Sequence, residues 1–292
     1  MCHDTKITDF ENIEEKQRKE IKTYLNNLKQ KNPLIHCITN YVTVNDVANS
    51  LIAIGASPVM ADEPSESGEI TAISNGLLIN LGTLNLNTIK AMQNSIKMAN
   101  YLNLPVVLDP VGVGASTLRN ETAINFLKEY KFSIIKGNIS EIKFLNGEKS
   151  IAKGVDASLK DLNDDFLNRV NLAKELSIKT DAAIVITGKI DIVAFKNEAY
   201  LLKNGSSLMG KFSGSGCILG GICTAFLASN TDPLKSAIMG VLTECIAGEL
   251  VRGKNVLSDI GNMKFKNGLI DEIYLIDDKK IQDLAKIEKV MK

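Results

Sequence analysis

The sequence predicts an α/β protein in which helices cover both faces of a mostly parallel central sheet. Two observations support this fold class. Short, continuous apolar segments alternate along the chain with longer segments that carry apolar residues at helical spacing, and strands that are buried on both faces of a parallel sheet have this continuous apolar character. At 292 residues and 45% hydrophobic content, the chain is also long enough to build a large core.

The first two thirds of the chain supply the alternating elements. A charged N-terminal segment is predicted as a surface helix that ends before Pro33, Gly55 closes the second helix, and residues 62–68 form a polar loop. The predicted strands are 34–38, 57–60, 76–81, 105–109, 132–136 and 182–187. The predicted helices are 11–31, 46–54, 88–102, 120–130, 138–145 and 165–176.

The last third of the chain has a different rhythm. Two apolar segments, 191–195 and 199–202, are separated by three residues and predict a β-hairpin. After a glycine-rich loop, only helices are expected. They cover 217–228, 233–251, 266–276 and 280–290. Because no linker or internal repeat interrupts the pattern, we expect a single domain.

Composition and charge argue against several classes of function. Lys+Arg and Asp+Glu both number 34, and no basic stretch is interleaved with aromatic residues, so nucleic acid is not expected as a partner. No apolar run reaches the ~18 residues of a membrane-spanning helix, and the polar start differs from a secretory signal. Five scattered cysteines fit free thiols in a reducing cytoplasm. With His3 and His36 as its two histidines and no Cys-x-x-Cys motif, the sequence does not predict a zinc site.

The glycine-rich loop, residues 210–221, leads directly into an apolar helix. Glycine lets the backbone approach a ligand closely, and the free N–H groups at a helix start attract anions. The segment therefore predicts a phosphate site that includes Gly214 and Gly216, although glycines there could equally serve close helix packing. Cys217 falls in the first helical turn, where the pKa of a thiol is expected to fall. It could act as a base, only position the substrate, or be a small buried residue.

Polar side chains follow several of the predicted strands. In an open parallel sheet the ligand lies beyond the carboxyl ends of the strands, and Asn40, Asp109 and Thr187 stand at such ends. Asp109 could hold Mg²⁺ or cap loop amides. Thr187 could offer its hydroxyl to a phosphate or simply end a strand. Asn40 and Met60 are candidates for pocket walls, although methionine is commonly core filler.

Two further charged residues lie around the strand that ends near residue 136. Lys136 could neutralise a phosphate or be an ordinary solvated lysine. The pattern Asn138-x-x-Glu141 matches a capping box, which would explain Glu141 by helix stability alone. A glutamate at a helix start can still hold a water molecule of a metal ion, so both interpretations stay open.

Five motifs in order along the chain resemble those of the hydroxyethylthiazole kinase family, within the ribokinase-like superfamily. They occupy 32–40, 55–60, 108–114, 136–142 and 213–217, and the resemblance covers roughly 32–251. The glycine loop of the superfamily usually ends in Asp, whereas Cys217 stands here, as in the thiazole-kinase branch. The resemblance implies a single ribokinase-like kinase domain over 1–292, with 1–31 as an N-terminal surface helix segment.

The same resemblance implies a reaction and a set of sites. ATP would phosphorylate the hydroxyl of 4-methyl-5-(2-hydroxyethyl)thiazole in thiamine salvage, with Mg²⁺, in a homotrimer whose sites lie between subunits. The implied roles are catalysis for Cys217, thiazole binding for Met60, Gly214 and Asn40, ATP binding for Lys136, Thr187 and Gly216, and Mg²⁺ binding for Asp109 and Glu141. The family often has Arg at the position of Lys136, and Arg binds phosphate bidentately whereas Lys is a point charge.

Two alternative functions follow from the same pattern. Another ribokinase-like enzyme, such as a hydroxymethylpyrimidine kinase or a nicotinamide-hydrate dehydratase, would share the fold but is expected to carry Asp at the position of Cys217. A non-catalytic protein that binds thiazole or nucleotide would show binding without turnover.

Overall fold

The computed structural model of the chain describes residues 10–12, 15–148, 166–254 and 259–290. Cys2, His3 and the predicted helix start at Asp165 lie outside the described residues. The strands are β1 (Phe10–Asn12), β2 (Leu34–Ile38), β3 (Ser57–Val59), β4 (Gly76–Asn80), β5 (Val106–Asp109), β6 (Ile134–Asn138), β7 (Ala183–Thr187), β8 (Asp191–Phe195), β9 (Glu198–Leu202) and β10 (Ile287–Val290).

Helices connect and cover these strands. The α-helices are α1 (Glu15–Lys31), α2 (Val44–Ile54), α3 (Ser67–Ala72), α4 (Leu86–Tyr101), α5 (Thr117–Glu129), α6 (Ile139–Leu145), α7 (Phe166–Thr180), α8 (Ser215–Asn230), α9 (Pro233–Lys254), α10 (Asn262–Tyr274) and α11 (Asp278–Leu284). A short 3₁₀ helix, Ser207–Lys211, precedes α8. Gly55 ends α2 in the left-handed conformation, with φ +100°, as predicted.

All the described strands join one sheet, in the order β1-β10-β9-β8-β7-β6-β5-β4-β2-β3. Strands β2 to β7 pair in parallel. Strands β8, β9, β10 and β1 extend the sheet with antiparallel pairs. The mostly parallel sheet and the hairpin of β8 and β9 are therefore confirmed.

Two apolar cores lie on opposite faces of the sheet. In β4, Leu78 packs into one core while Leu77 and Ile79 pack into the other, because successive side chains of a strand point to opposite faces. Helices α1, α2, α8, α9, α10 and α11 contribute to the first core. Helices α4, α5, α6 and α7 contribute to the second. The prediction of helices on both faces is confirmed.

The C-terminal segment corrects one prediction. Residues 280–290 are predicted to be helical, but α11 ends at Leu284 and Ile287–Val290 forms β10, which pairs antiparallel with β9. The helical spacing does correspond to a helix in the first part of this segment, since α11 covers Asp278–Leu284. The exposed edge of β9, however, offers unpaired N–H and C=O groups, and an extended segment satisfies them.

The N-terminal half holds two smaller corrections. The predicted helix 11–31 begins only at Glu15, because Phe10–Asn12 forms β1 against β10. One face of this helix packs inward, and its helically spaced Leu25 and Leu28 are buried in the first core. The predicted loop 62–68 is also shorter, because α3 begins at Ser67. For β1 the tertiary neighbour β10 decides the conformation, and local spacing does not reveal that neighbour.

The parallel arrangement places the carboxyl ends of β2, β4, β5, β6 and β7 along one edge of the sheet. The start of α8 lies against this edge, since α8 packs on β2, β4, β5 and β6. Within the described ranges, no helix combines the length and the apolar character needed to cross a bilayer.

Candidate active site

The glycine loop enters α8 through one left-handed residue. Gly214 has φ +116°, and a Cβ atom there would lie 2.8 Å from Thr43 Cγ2, so both its backbone and its surroundings require glycine. The first hydrogen bond within the helix runs from the Ile218 N–H to the Gly214 carbonyl. The amides of Ser215, Gly216 and Cys217 precede that bond, and this arrangement suits an anion.

Two asparagine side chains hold Cys217 at the carboxyl edge of the sheet. Asn40, after β2, has its Nδ2 3.1 Å from the Cys217 sulfur and also donates to Asn80 Oδ1. Asn80, at the end of β4, has its Nδ2 3.3 Å from the same sulfur and donates to Asp109 Oδ2 at 2.8 Å. The backbone N–H and the hydroxyl of Thr43 both donate to Asn40 Oδ1. The thiol is therefore fixed from two sides.

A buried ion pair connects the sheet to the glycine loop. Lys136 Nζ lies 3.0 Å from Asp109 Oδ1 and donates to the Gly216 carbonyl at 2.9 Å. Only 4% of Lys136 and none of Asp109 is exposed, so the interpretation of Lys136 as a solvated lysine is wrong. Burial, the largest effect, would lower the pKa of Lys136, but the neighbouring acidic groups of Asp109, Cys217 and Glu141 together outweigh it, and the pKa lies above its ordinary value. The ammonium group is therefore charged.

The structure reverses the predicted pKa shift of Cys217. The helix start is predicted to lower the pKa of this thiol, but its pKa is raised, first by burial and then by the negative charge of Asp109. Lys136 and the hydrogen bonds from Thr43 and Asn40 oppose this rise without overcoming it. Because the sulfur lies in the interior beside a carboxylate, the group is a thiol at neutral pH.

Glu141 caps a helix and is also an acidic side chain beside the Asp109–Lys136 pair. Asn138 caps α6, and the capping box is present: Asn138 Oδ1 accepts from the Glu141 N–H, and Glu141 Oε2 accepts from the Asn138 N–H. Glu141 Oε1 accepts from the Gly112 N–H in the loop after β5. Burial and then the charge of Asp109 raise the pKa of Glu141 to about 7. The residue that completes the cap of α6 is therefore also an acid that titrates near neutral pH.

Asp109 and Glu141 suit a cation that is held partly by water and by substrate phosphate. Each Asp109 oxygen accepts one side-chain hydrogen bond, and each Glu141 oxygen accepts one backbone N–H. Each oxygen therefore keeps a lone pair, and Mg²⁺ in proteins commonly retains several waters and binds few carboxylates. Among the residues that the structure describes, no group of three or more His, Cys, Asp or Glu residues could hold a metal ion.

Met60 and Thr187 lie at the same sheet edge but farther along it. Met60 follows β3 beyond β2, is half-buried, and packs against the first core. Thr187 ends β7 and pairs with Asn138 at the end of β6, and its hydroxyl lies 3.4 Å from the Gly137 carbonyl. The sheet therefore places both residues at the same edge as Asn40, Asn80 and Cys217. Neither residue forms a hydrogen bond with the Cys217 sulfur in the described structure.

Sequence reasoning missed Asn80 and Thr43. The predicted apolar strand 76–81 contains Asn80 as its one polar side chain. A polar residue at the carboxyl end of a buried strand is the signal that could have identified it. Thr43 carries no comparable signal in the sequence. Its hydrogen bond to Asn40 and its position beside Gly214 both result from the turn before α2.

The chain matches the family model described as the hydroxyethylthiazole kinase family over residues 25–279. It is 50% identical to a hydroxyethylthiazole kinase of Clostridium acetobutylicum, over 92% of this chain and 99% of that protein. The structure of a hydroxyethylthiazole kinase protein from Pyrococcus horikoshii OT3 superposes with a TM-score of 0.83 at 30% identity, covering 94% and 100% of the two chains. A ribokinase-like superfamily protein from Enterococcus faecalis V583, at 12% identity and a TM-score of 0.59 over 92% and 99%, shares the fold.

Replacing Gly214 with alanine is expected to lower the free energy of unfolding by about 1–2 kcal/mol, because a left-handed backbone and the contact with Thr43 both oppose a Cβ atom. Urea denaturation measures the change. Gly210→Ala is the matched control, since nothing lies within 4 Å of a Cβ atom built there, and its effect should stay within about 0.5 kcal/mol. Equal effects of the two substitutions would contradict a strained glycine at the helix entry.

Proposed function

The chain belongs to the hydroxyethylthiazole kinase family, and on that premise we propose that it transfers the γ-phosphoryl group of ATP to the hydroxyl of 4-methyl-5-(2-hydroxyethyl)thiazole in thiamine salvage, with Mg²⁺. One observation carries the proposal: the left-handed entry to α8 stands beside a buried Asp109–Lys136 pair and the thiol of Cys217. Phosphoryl transfer depends mainly on positioning and on charge stabilisation, and this arrangement supplies both.

The amides at the start of α8 are proposed to receive the transferring phosphoryl group. Gly214, Ser215 and Gly216 are half-buried, so their backbone can meet a ligand while most of the bulk solvent is excluded. If each amide acts as an oxyanion-hole donor does, its contribution to transition-state stabilisation is about 3 kcal/mol. The fixed entry through Gly214 would keep these donors aligned before the substrate arrives.

Lys136 is proposed to hydrogen-bond both the glycine loop and the nucleotide. An ammonium group has three N–H donors, and Asp109 and Gly216 take two of them. We assign the remaining donor to a phosphate oxygen of ATP, with Thr187 as a second contact from the neighbouring strand. The lysine would then fix the loop and offset phosphate charge at the same time.

Asp109 and Glu141 are proposed to hold Mg²⁺ through water and phosphate oxygens. When bound, the ion would neutralise charge on the donor phosphates. The chain itself would orient the two carboxylates, through Asn80 and Lys136 for Asp109 and through the Gly112 and Asn138 amides for Glu141. These fixed partners would keep both carboxylates in place when nucleotide is absent.

Cys217 is proposed to meet the acceptor hydroxyl as a thiol. Phosphoryl transfer usually passes through a loose transition state, in which the nucleophile forms little bond to phosphorus. The hydroxyl therefore needs accurate placement more than a strong base, and the two asparagine amides fix the sulfur for that purpose. Asn40, Met60 and Gly214 are proposed to contact the thiazole beside it.

We also propose a homotrimer of chains, each a single domain over residues 1–292, with sites between subunits. The one continuous sheet supports the single domain. Apolar side chains beside the site support the assembly, since Tyr41 is 60% exposed and Val42 is 67% exposed directly after Asn40. Light scattering should give a mass three times that of the 31.8 kDa chain. A monomer mass at micromolar concentration would contradict this part of the proposal.

The cytoplasm is the proposed location of the reaction, because ATP is available there. Cys37, Cys217, Cys223 and Cys245 are free and buried in the described structure. Free thiols persist in a reducing compartment, which supports this location.

Incubation of the purified chain with ATP, Mg²⁺ and the thiazole alcohol tests the reaction directly, with the phosphate ester followed by mass spectrometry. Formation of the ester is the expected result, and hydroxymethylpyrimidine serves as the competing acceptor. Phosphorylation of the pyrimidine alone would indicate the rival kinase. Calorimetric binding of the thiazole without any ester would indicate a binding protein. Either result would overturn the proposal.

Cys217→Ala is expected to lower kcat by about tenfold while raising KM for the thiazole less, because a hydroxyl-orienting contact in the transition state contributes about 1.4 kcal/mol. Steady-state kinetics with both substrates varied measures the two effects. Cys223→Ala is the matched control, since that thiol is fully buried in the same helix against Gly240, and its kinetic constants should equal those of the wild type. An unchanged kcat in Cys217→Ala would mean that Cys217 only lines the substrate pocket.

A further inference from the structure

A buried glutamate on α9 contacts the first residue of α8. Glu244 is 1% exposed, and its Oε1 accepts a hydrogen bond from the Ser215 hydroxyl at 3.0 Å. Ser215 directly follows Gly214 and supplies one of the amides assigned above to the phosphoryl group. Nothing in the sequence pattern indicated this contact, because Glu244 stands alone in an otherwise apolar part of α9 and is separated from Ser215 by 29 positions.

The surroundings of Glu244 favour its uncharged form. Burial raises the pKa of Glu244 to about 8, against the opposing effects of the Ser215 hydrogen bond and the charge of Lys136. The other titratable groups that act on it or feel its charge are Asp191 on β8, Cys223 on α8 and Cys245 on α9. Asp191 raises the pKa further, and the two cysteines are thiols at neutral pH because burial raises their pKa values. A neutral carboxylic acid therefore lies behind the glycine loop.

We propose that Glu244 is a positioning residue for the phosphate loop, which it holds through its buried hydrogen bond with the Ser215 hydroxyl. The inference rests on the proposed phosphoryl transfer and deepens it. A neutral acid fixes the Ser215 hydroxyl, and with it the first turn of α8, without repelling the anion that the turn receives. A carboxylate in the same place would keep the hydrogen bond but would oppose the phosphates of ATP electrostatically.

The sign of the pH dependence follows from the raised pKa. Below about pH 8 Glu244 carries its proton and is neutral, and as the pH rises through about 8 it gains a negative charge next to the loop. The affinity for ATP should therefore fall on the alkaline side. The wild-type KM for ATP is expected to rise about fivefold between about pH 7 and about pH 9.5.

Glu244→Gln separates this effect from packing, because the amide keeps the shape and the acceptor oxygen but cannot ionise. Its KM for ATP should show no alkaline rise over the same range. Glu249→Gln is the matched control. It lies five residues later on the same helix, hydrogen-bonds Asn204 and Lys286, and should reproduce the wild-type rise. A pH profile of the Glu244→Gln variant that rises in parallel with the wild type would overturn the proposal.

A double-substitution cycle tests whether Glu244 acts through Ser215. Ser215→Ala keeps the backbone amide and removes the hydroxyl, so the effects of Ser215→Ala and Glu244→Ala on KM for ATP should be strongly non-additive. Additive effects would contradict the inference. Calorimetric titration of ATP into the same variants and into Glu244→Gln provides a readout that does not require turnover. Absence of ester in the wild type would refute the proposed function, whereas equal alkaline loss of ATP binding in the wild type and in Glu244→Gln would refute this inference alone.

Discussion

The site depends on one buried ammonium group. Lys136 extends from β6, pairs with Asp109 at the end of β5, and donates to the carbonyl of Gly216 in the first turn of α8. Burying two charges is costly unless they are paired and hydrogen-bonded, and here each partner is. A Cβ atom at position 216 would lie 3.0 Å from the ammonium nitrogen. Glycine at position 216 therefore leaves room for the ammonium group to reach this carbonyl.

The same ammonium group sets the electrostatics of its neighbours. Burial raises the pKa values of Cys217, Glu141 and Glu244, and the charge of Lys136 opposes the rise for each of them. The result is a site that holds little net negative charge at neutral pH although it is rich in acidic groups. Such a site suits a polyanionic substrate, because the protein adds little repulsion to the charge that phosphates bring.

Several interactions combine stability with the proposed chemistry. The capping box of Asn138 and Glu141 closes the start of α6, and the second oxygen of Glu141 also fixes the loop after β5 through the Gly112 amide. The Asn40 and Asn80 amides likewise bridge strand ends and hold a sulfur atom. Substitutions in this network should therefore change stability together with activity, and kinetic effects need a stability measurement beside them.

The sequence alone determined the buried strands, the hairpin of β8 and β9, the glycine entry to α8 and the cap at Asn138, because each depends on neighbours close in the chain. Tertiary structure decided the rest. Residues 287–290 form a strand because the edge of β9 is present. The pKa of Cys217 rises because burial and Asp109 outweigh Lys136 and the hydrogen bonds from Thr43 and Asn40. Glu244 contacts Ser215 across two packed helices. Burial and charge–charge contacts depend on which residues distant in the chain come together in the fold. The spacing of residues along the sequence does not reveal those contacts.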